Sequence, residues 1–123
     1  DTHFDDYLTT AEGKSLPVPH CIKGTVGHKL YGGLADALKG KLCFEKNTFP
    51  SLEMAKYLEG KDFDTIELCG LVSNICVLSN AVMAKSACPN SEIIVASSLT
   101  AAADEEIHQK SLDVMKGLFI KVL

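Results

Sequence analysis

From Ser51 onward, apolar positions recur with helical and strand periods in turn, and the periods assign the elements. Ser51 is a good N-cap for LEMAKYLEG, in which Met54, Leu58 and Tyr57 share a helical face and Gly60 sits where a helix stops. Residues 64–70 (DTIELCG) read as a strand. Residues 74–87 place small or apolar side chains at Val77, Ala81 and Ala84, and at Leu78 and Val82, which is helical spacing that Pro89 ends. SEIIVAS (91–97) predicts a buried strand, and residues 104–117 an amphipathic helix with acids in its first turn and Ile107, Leu112 and Met115 facing inward. LFIKVL (118–123) closes the chain as another strand. Upstream, residues 1–27 lack periodicity and are punctuated by Gly13, Pro17, Pro19, Gly24 and Gly27, so they read as loop. Residues 28–38 predict a short helix or turn, and Leu42–Lys46 a short strand.

Strands alternating with helices predict an α/β fold, three-layer α/β/α with a mostly parallel sheet. The expected organisation is a single domain over 1–123, since this length normally supports one core. In such sheets ligands bind beyond the carboxyl ends of the strands. Lys46, the loop GLVSNIC (70–76) and the loop SSLTAAAD (97–104) are all expected there.

Composition narrows the function. All 12 basic residues are lysines against 16 acids, so the chain has neither a basic stripe nor the arginine fork that best reads phosphate and guanine, and nucleic acid is set aside. The apolar runs are too short to span a bilayer. Five cysteines, Cys21, Cys43, Cys69, Cys76 and Cys88, form an odd set without CxxC spacing, which reads as reduced thiols in a cytoplasmic protein.

Cys76 falls in the first turn of a helix after a strand, where the helix dipole favours thiolate and backbone N–H groups can receive an oxyanion. Cys43, Cys69 and Cys88 are expected in the core. Lys46, flanked by Phe44 and Phe49, would stabilise a thiolate if it lay near one. Asp1 and His3 project to one side of an extended segment, and PHC adds His20; one carboxylate and two imidazoles suit zinc, with iron or manganese as alternatives. His28 and His108 are expected at the surface.

DTHF, PHCIKGTVG, FEKNTF and GLVSNICV, followed by the small-residue helix SNAVMAKSA, resemble in order and spacing the isochorismatase-like cysteine hydrolases, especially the nicotinamidase (pyrazinamidase) branch. The resemblance implies a cytoplasmic hydrolase of pyridine nucleotide salvage that converts nicotinamide or a similar carboxamide to the acid and ammonia through a thioester. Carried over, Cys76 is the nucleophile, Lys46 the catalytic lysine, and Asp1, His3 and His20 the metal ligands. The backbone N–H groups of Val72 and Cys76 would form the oxyanion hole, a cis peptide would fall at Val72–Ser73, and Phe4 and Phe49 would sandwich the ring. It also implies a homo-oligomer acting on a small molecule.

Family members begin with a strand ending in aspartate, the proton shuttle of the Asp–Lys–Cys set, and this pattern is missing from the sequence. Asp1 and His3 thus read as the end of a strand that begins elsewhere, in an N-terminally incomplete domain lacking the usual first strand. Leu16 and Pro17 replace an aromatic, Ser73-Asn74 stands where many members have Thr-Asp, and Ala96 takes a position often acidic. Two alternatives follow: a metal-free isochorismatase-like hydrolase of another small substrate, and an inactive fragment or interaction module with an exposed sheet edge.

Overall fold

A computed structural model describes residues 1–123, which form two compact units, Asp1–Thr48 and Phe49–Leu123. In the second unit Thr65–Leu71 (β1), Glu92–Ala101 (β2) and Lys121–Val122 (β3) make a parallel sheet in the order β1-β2-β3. Parallel neighbours need long crossovers. Leu78–Ala87 (α4) supplies the first and Glu105–Gly117 (α5) the second, while Leu52–Leu58 (α3) leads into β1.

The predicted periods explain this arrangement. Val77, Ala81, Ala84 and Cys88 recur at helical spacing and are all buried. They meet Leu58 of α3, Ile93 and Val95 of β2, Leu112 and Met115 of α5, and Ile120 in one cluster. Ile94 and Ala96, on the opposite face of β2, are buried as well, as expected of a parallel strand covered on both sides. The helix ends follow their capping residues: Ser51 Oγ accepts from the Met54 N–H at 3.1 Å and Asp104 Oδ1 from the Ile107 N–H at 3.0 Å. Gly60, with φ +73°, takes the left-handed conformation just beyond α3.

Four expectations for this unit need correction. Residues 97–101 continue β2 rather than forming a loop, with a bulge: Leu68 pairs with Val95, but Gly70 pairs with Thr100. The inward stripe of α5 is His108, Ser111, Leu112 and Met115, spaced i, i+3, i+4, i+7. Ile107, one position out of phase, is 45% exposed, and His108, expected at the surface, is 8% exposed. Cys69 is exposed because it lies on the outward face of β1, whose burial alternates.

The first unit has no sheet of its own. Short 3₁₀ turns at Tyr7–Thr9 and Val26–His28 and helices Ala11–Ser15 (α1) and Leu34–Ala37 (α2) replace the predicted loop over 1–27 and follow it. A parallel bridge joins His3 to Ile22. The expected strand at Leu42–Lys46 does not form: the Lys46 C=O accepts from the Thr2 N–H at 2.7 Å, but the segment joins no ladder, and Cys43 is exposed rather than core. His28 is half-buried, its Nε2 hydrogen-bonded to Thr2 Oγ1 at 2.9 Å, so it is not a free surface residue.

Met115 is fully buried where α5, α4 and the sheet meet. Met115→Ala is expected to cost about 2–5 kcal/mol, read as a fall in the chemical-denaturation midpoint; an unchanged midpoint would contradict this core.

Candidate metal and nucleophile sites

In the first unit the His3–Ile22 bridge sets the geometry. The His3 N–H donates to the Cys21 C=O at 3.0 Å and the Lys23 N–H to the His3 C=O at 2.9 Å, so the backbone next to His20 runs alongside His3. The two imidazole centroids lie 4.8 Å apart, edge to face. Tyr7, fully buried, packs against both rings, at 4.7 Å from His3 and 5.1 Å from His20, and its hydroxyl donates to the Leu16 C=O at 2.9 Å. The first unit therefore brings Asp1, His3 and His20 together, one donor atom of each within 4.8 Å of the others.

The hydrogen bonding suits a cation. His20 Nδ1 lies 2.8 Å from the Val18 C=O, which can only accept, so Nδ1 donates there and Nε2 is the ring atom turned toward Glu12. His3 is held below the usual imidazole range, chiefly by burial, which outweighs the upward pull of Glu12.

Glu12, on α1, was missed by sequence reasoning. Its Oε1 lies 3.5 Å from His3 Nε2 and 3.6 Å from His20 Nε2. His3 Nε2 and Glu12 Oε1 are both buried without a hydrogen-bond partner, a costly state for polar atoms unless a further group joins them. The one local signal was Gly13 beside it. A Cβ there would lie 2.0 Å from the Tyr7 carbonyl oxygen, so only glycine lets α1 approach the Tyr7 turn this closely.

Lys46 pairs with Asp1 Oδ1 and donates to the Thr48 C=O at 3.1 Å. Phe4 is 53% exposed and is not core; it lines a 250 Å³ cavity with His3, Tyr7 and Glu12.

Val72, Cys76 and Phe49 belong to the second unit. The chain leaves β1 through a cis peptide at Leu71–Val72, not at the expected Val72–Ser73; the special bond sits one residue nearer the strand. Ser73–Val77 then forms a π-helical turn that continues as α4, with Cys76 half-buried in it. The Ile75 and Val77 N–H groups both donate to the Val72 C=O, at 3.2 and 3.1 Å. Asn80 ties this turn to the segment before α3. Its Nδ2 donates to the Cys76 and Phe49 carbonyls at 2.7 and 3.0 Å, and its Oδ1 accepts from the Ser51 N–H at 2.8 Å. Phe49, part-exposed, lines an apolar groove of 560 Å³ with Asn74, Ile75 and Leu78.

An isochorismatase-domain model matches residues 2–123, across both units, and the chain belongs to the isochorismatase family. Its architecture is that of the nicotinamidases. The nicotinamidase/pyrazinamidase of Bacillus subtilis superposes with TM-score 0.82 at 26% identity, over 99% of this chain and 70% of that one. The pyrazinamidase/nicotinamidase of Streptococcus mutans gives 0.78 at 28%, over 99% and 73%. A pyrazinamidase of Pyrococcus horikoshii, solved in complex with zinc, shares the fold at 0.70 and 18% identity, over 99% and 72%. No curated protein sequence matches the chain significantly. No helix is long and apolar enough to cross a membrane, and the five cysteines are free thiols.

Gly13→Ala should cost about 1–3 kcal/mol, since the obstructing atoms are backbone; a parent-like melting temperature would refute the close approach. Acid should also destabilise the fold through His3. The unfolded imidazole takes up its proton near pH 6.5 while the folded one resists, so this contribution is present above about pH 6.5 and is lost as pH falls below it. Between pH 7.5 and 5.5, in chelator, the parent's urea midpoint should fall further than that of His3→Gln; equal falls would exclude this role.

Proposed function

We propose that the chain is a nicotinamidase-type cysteine amidohydrolase, its two units acting as one isochorismatase-like domain and Cys76 serving as nucleophile. The observation that carries this reading is the donor cluster of Asp1, His3 and His20, with two orphaned buried atoms, His3 Nε2 and the neighbouring Glu12 Oε1, beside it. Membership of a hydrolase family and likeness to enzymes named nicotinamidases support it.

The donor set fits a divalent ion, zinc before iron or manganese: two imidazoles and a carboxylate, with Glu12 within reach of both rings as a further oxygen donor. Bound there, the ion would supply a Lewis acid that orients the ring nitrogen of a pyridine carboxamide. Phe4 and Phe49 would contact the ring faces. The Cys76 sulfur forms a bond to the amide carbon, and the N–H groups of Val72 and Cys76 receive the oxyanion. As the C–N bond breaks, the proton given up by the thiol ends on the nitrogen, which leaves as ammonia. Water then cleaves the thioester, its hydroxyl completing the acid and its proton returning to sulfur. Lys46 offers a cation for the negative charge that develops.

Ammonia release from nicotinamide tests this reading. Cys76→Ala should lower kcat by about 10³-fold or more, chelator should abolish turnover and zinc restore it, and His20→Ala should raise the zinc needed. Full turnover by Cys76→Ala would remove the nucleophile assignment. Full turnover by metal-free protein would favour a metal-independent hydrolase of the same family.

A further inference from the structure

Ser73 opens the turn that carries Cys76, and its side chain is fully buried. The N-cap of this turn is Val72, and Ser73 is the first residue within it. Here no side chain caps the turn. Ser73 Oγ instead lies 2.9 Å from Nδ1 of His108, 35 residues away on α5. Both partners are buried, so a lost hydrogen bond leaves a polar atom that water cannot reach. Helix α5 does not need an imidazole to pack, since Leu112 and Met115 already anchor it in the core.

We propose that His108 is a positioning residue: it holds Ser73, and through Ser73 fixes the turn that aims the Cys76 sulfur and the adjoining backbone N–H groups. The bond does two things. It anchors the first residue of the turn to a helix of thirteen residues, and it gives the fully buried Ser73 hydroxyl a partner that water cannot supply. The proposal rests on the reading of Cys76 as nucleophile, so its test must separate the two.

Ser73→Ala, His108→Leu, the double variant, and the conservative His108→Asn and Ser73→Thr are compared in the 123-residue chain, with Cys76→Ala as reference. Two readouts are taken on protein shown to be folded by its thermal transition: kcat and KM for ammonia release from nicotinamide, and the peptide-resolved rate of Cys76 alkylation by iodoacetamide, with exposed Cys69 as internal standard. Ser73→Ala and His108→Leu should each lower kcat by about 10- to 100-fold with KM little changed, and should shift Cys76 alkylation but not that of Cys69. The double variant should be no worse than either single one, because both remove the same interaction. His108→Asn, whose amide reaches the hydroxyl, and Ser73→Thr should recover most of the loss. Parent-like kcat and Cys76 alkylation in folded variants would overturn the proposal, as would losses that multiply in the double variant. Ammonia release by Cys76→Ala would instead overturn the nucleophile reading, and the alkylation rates would still decide the role of His108.

Discussion

The methyl-sized side chains of Ala81 and Ala84 decide how the second unit is built. Both are fully buried, and they let α4 lie close against Ile93 and Val95 of β2. A larger residue at either position would push the helix outward, and with it the π-helical turn at its start. The place of the turn that carries Cys76 is therefore set first by close packing in the core. The bonds of Asn80 and Ser73 refine a turn that this packing has already placed.

The first unit is held by different means. It has little regular structure, and its fixed point is one backbone bridge between residues 3 and 22, with Tyr7 filling the space against two imidazoles. Donors from three stretches of chain converge because the turns between them are closed by local bonds: the Thr10 hydroxyl accepts from the Gly13 N–H, and the Tyr7 hydroxyl reaches Leu16. Bringing His3 Nε2 and Glu12 Oε1 together, both buried and without a hydrogen-bond partner, is unfavourable by itself. An arrangement in which burial disfavours the charged form of His3, Val18 fixes the His20 ring and Glu12 lies between the two imidazoles is one suited to receiving a positive ion.

How much of this was legible in the sequence depended on periodicity. From residue 51 onward the helices and strands could be read because each buries one face and declares its spacing, and Ser51 and Asp104 mark their starts. The continuation of β2 through SSLTA could not, since polar and small residues stay in the strand only because β1 pairs with them again after the bulge. His108 was hidden for a similar reason: its i, i+3, i+4, i+7 stripe contains a histidine and a serine, and the eye follows Ile107 instead. The histidines and Asp1 could be picked out by residue type and order. Glu12 and Tyr7 could not, because AEGK looks like a solvated turn until the close approach at Gly13 is seen.

Asn80 joins three backbone groups with one amide, donating to two carbonyl oxygens and accepting from one N–H. A carboxylate in its place would exchange a donor for an acceptor that faces those two oxygens. The segment before α3 would then be repelled where it is now tethered, and Phe49 released with it.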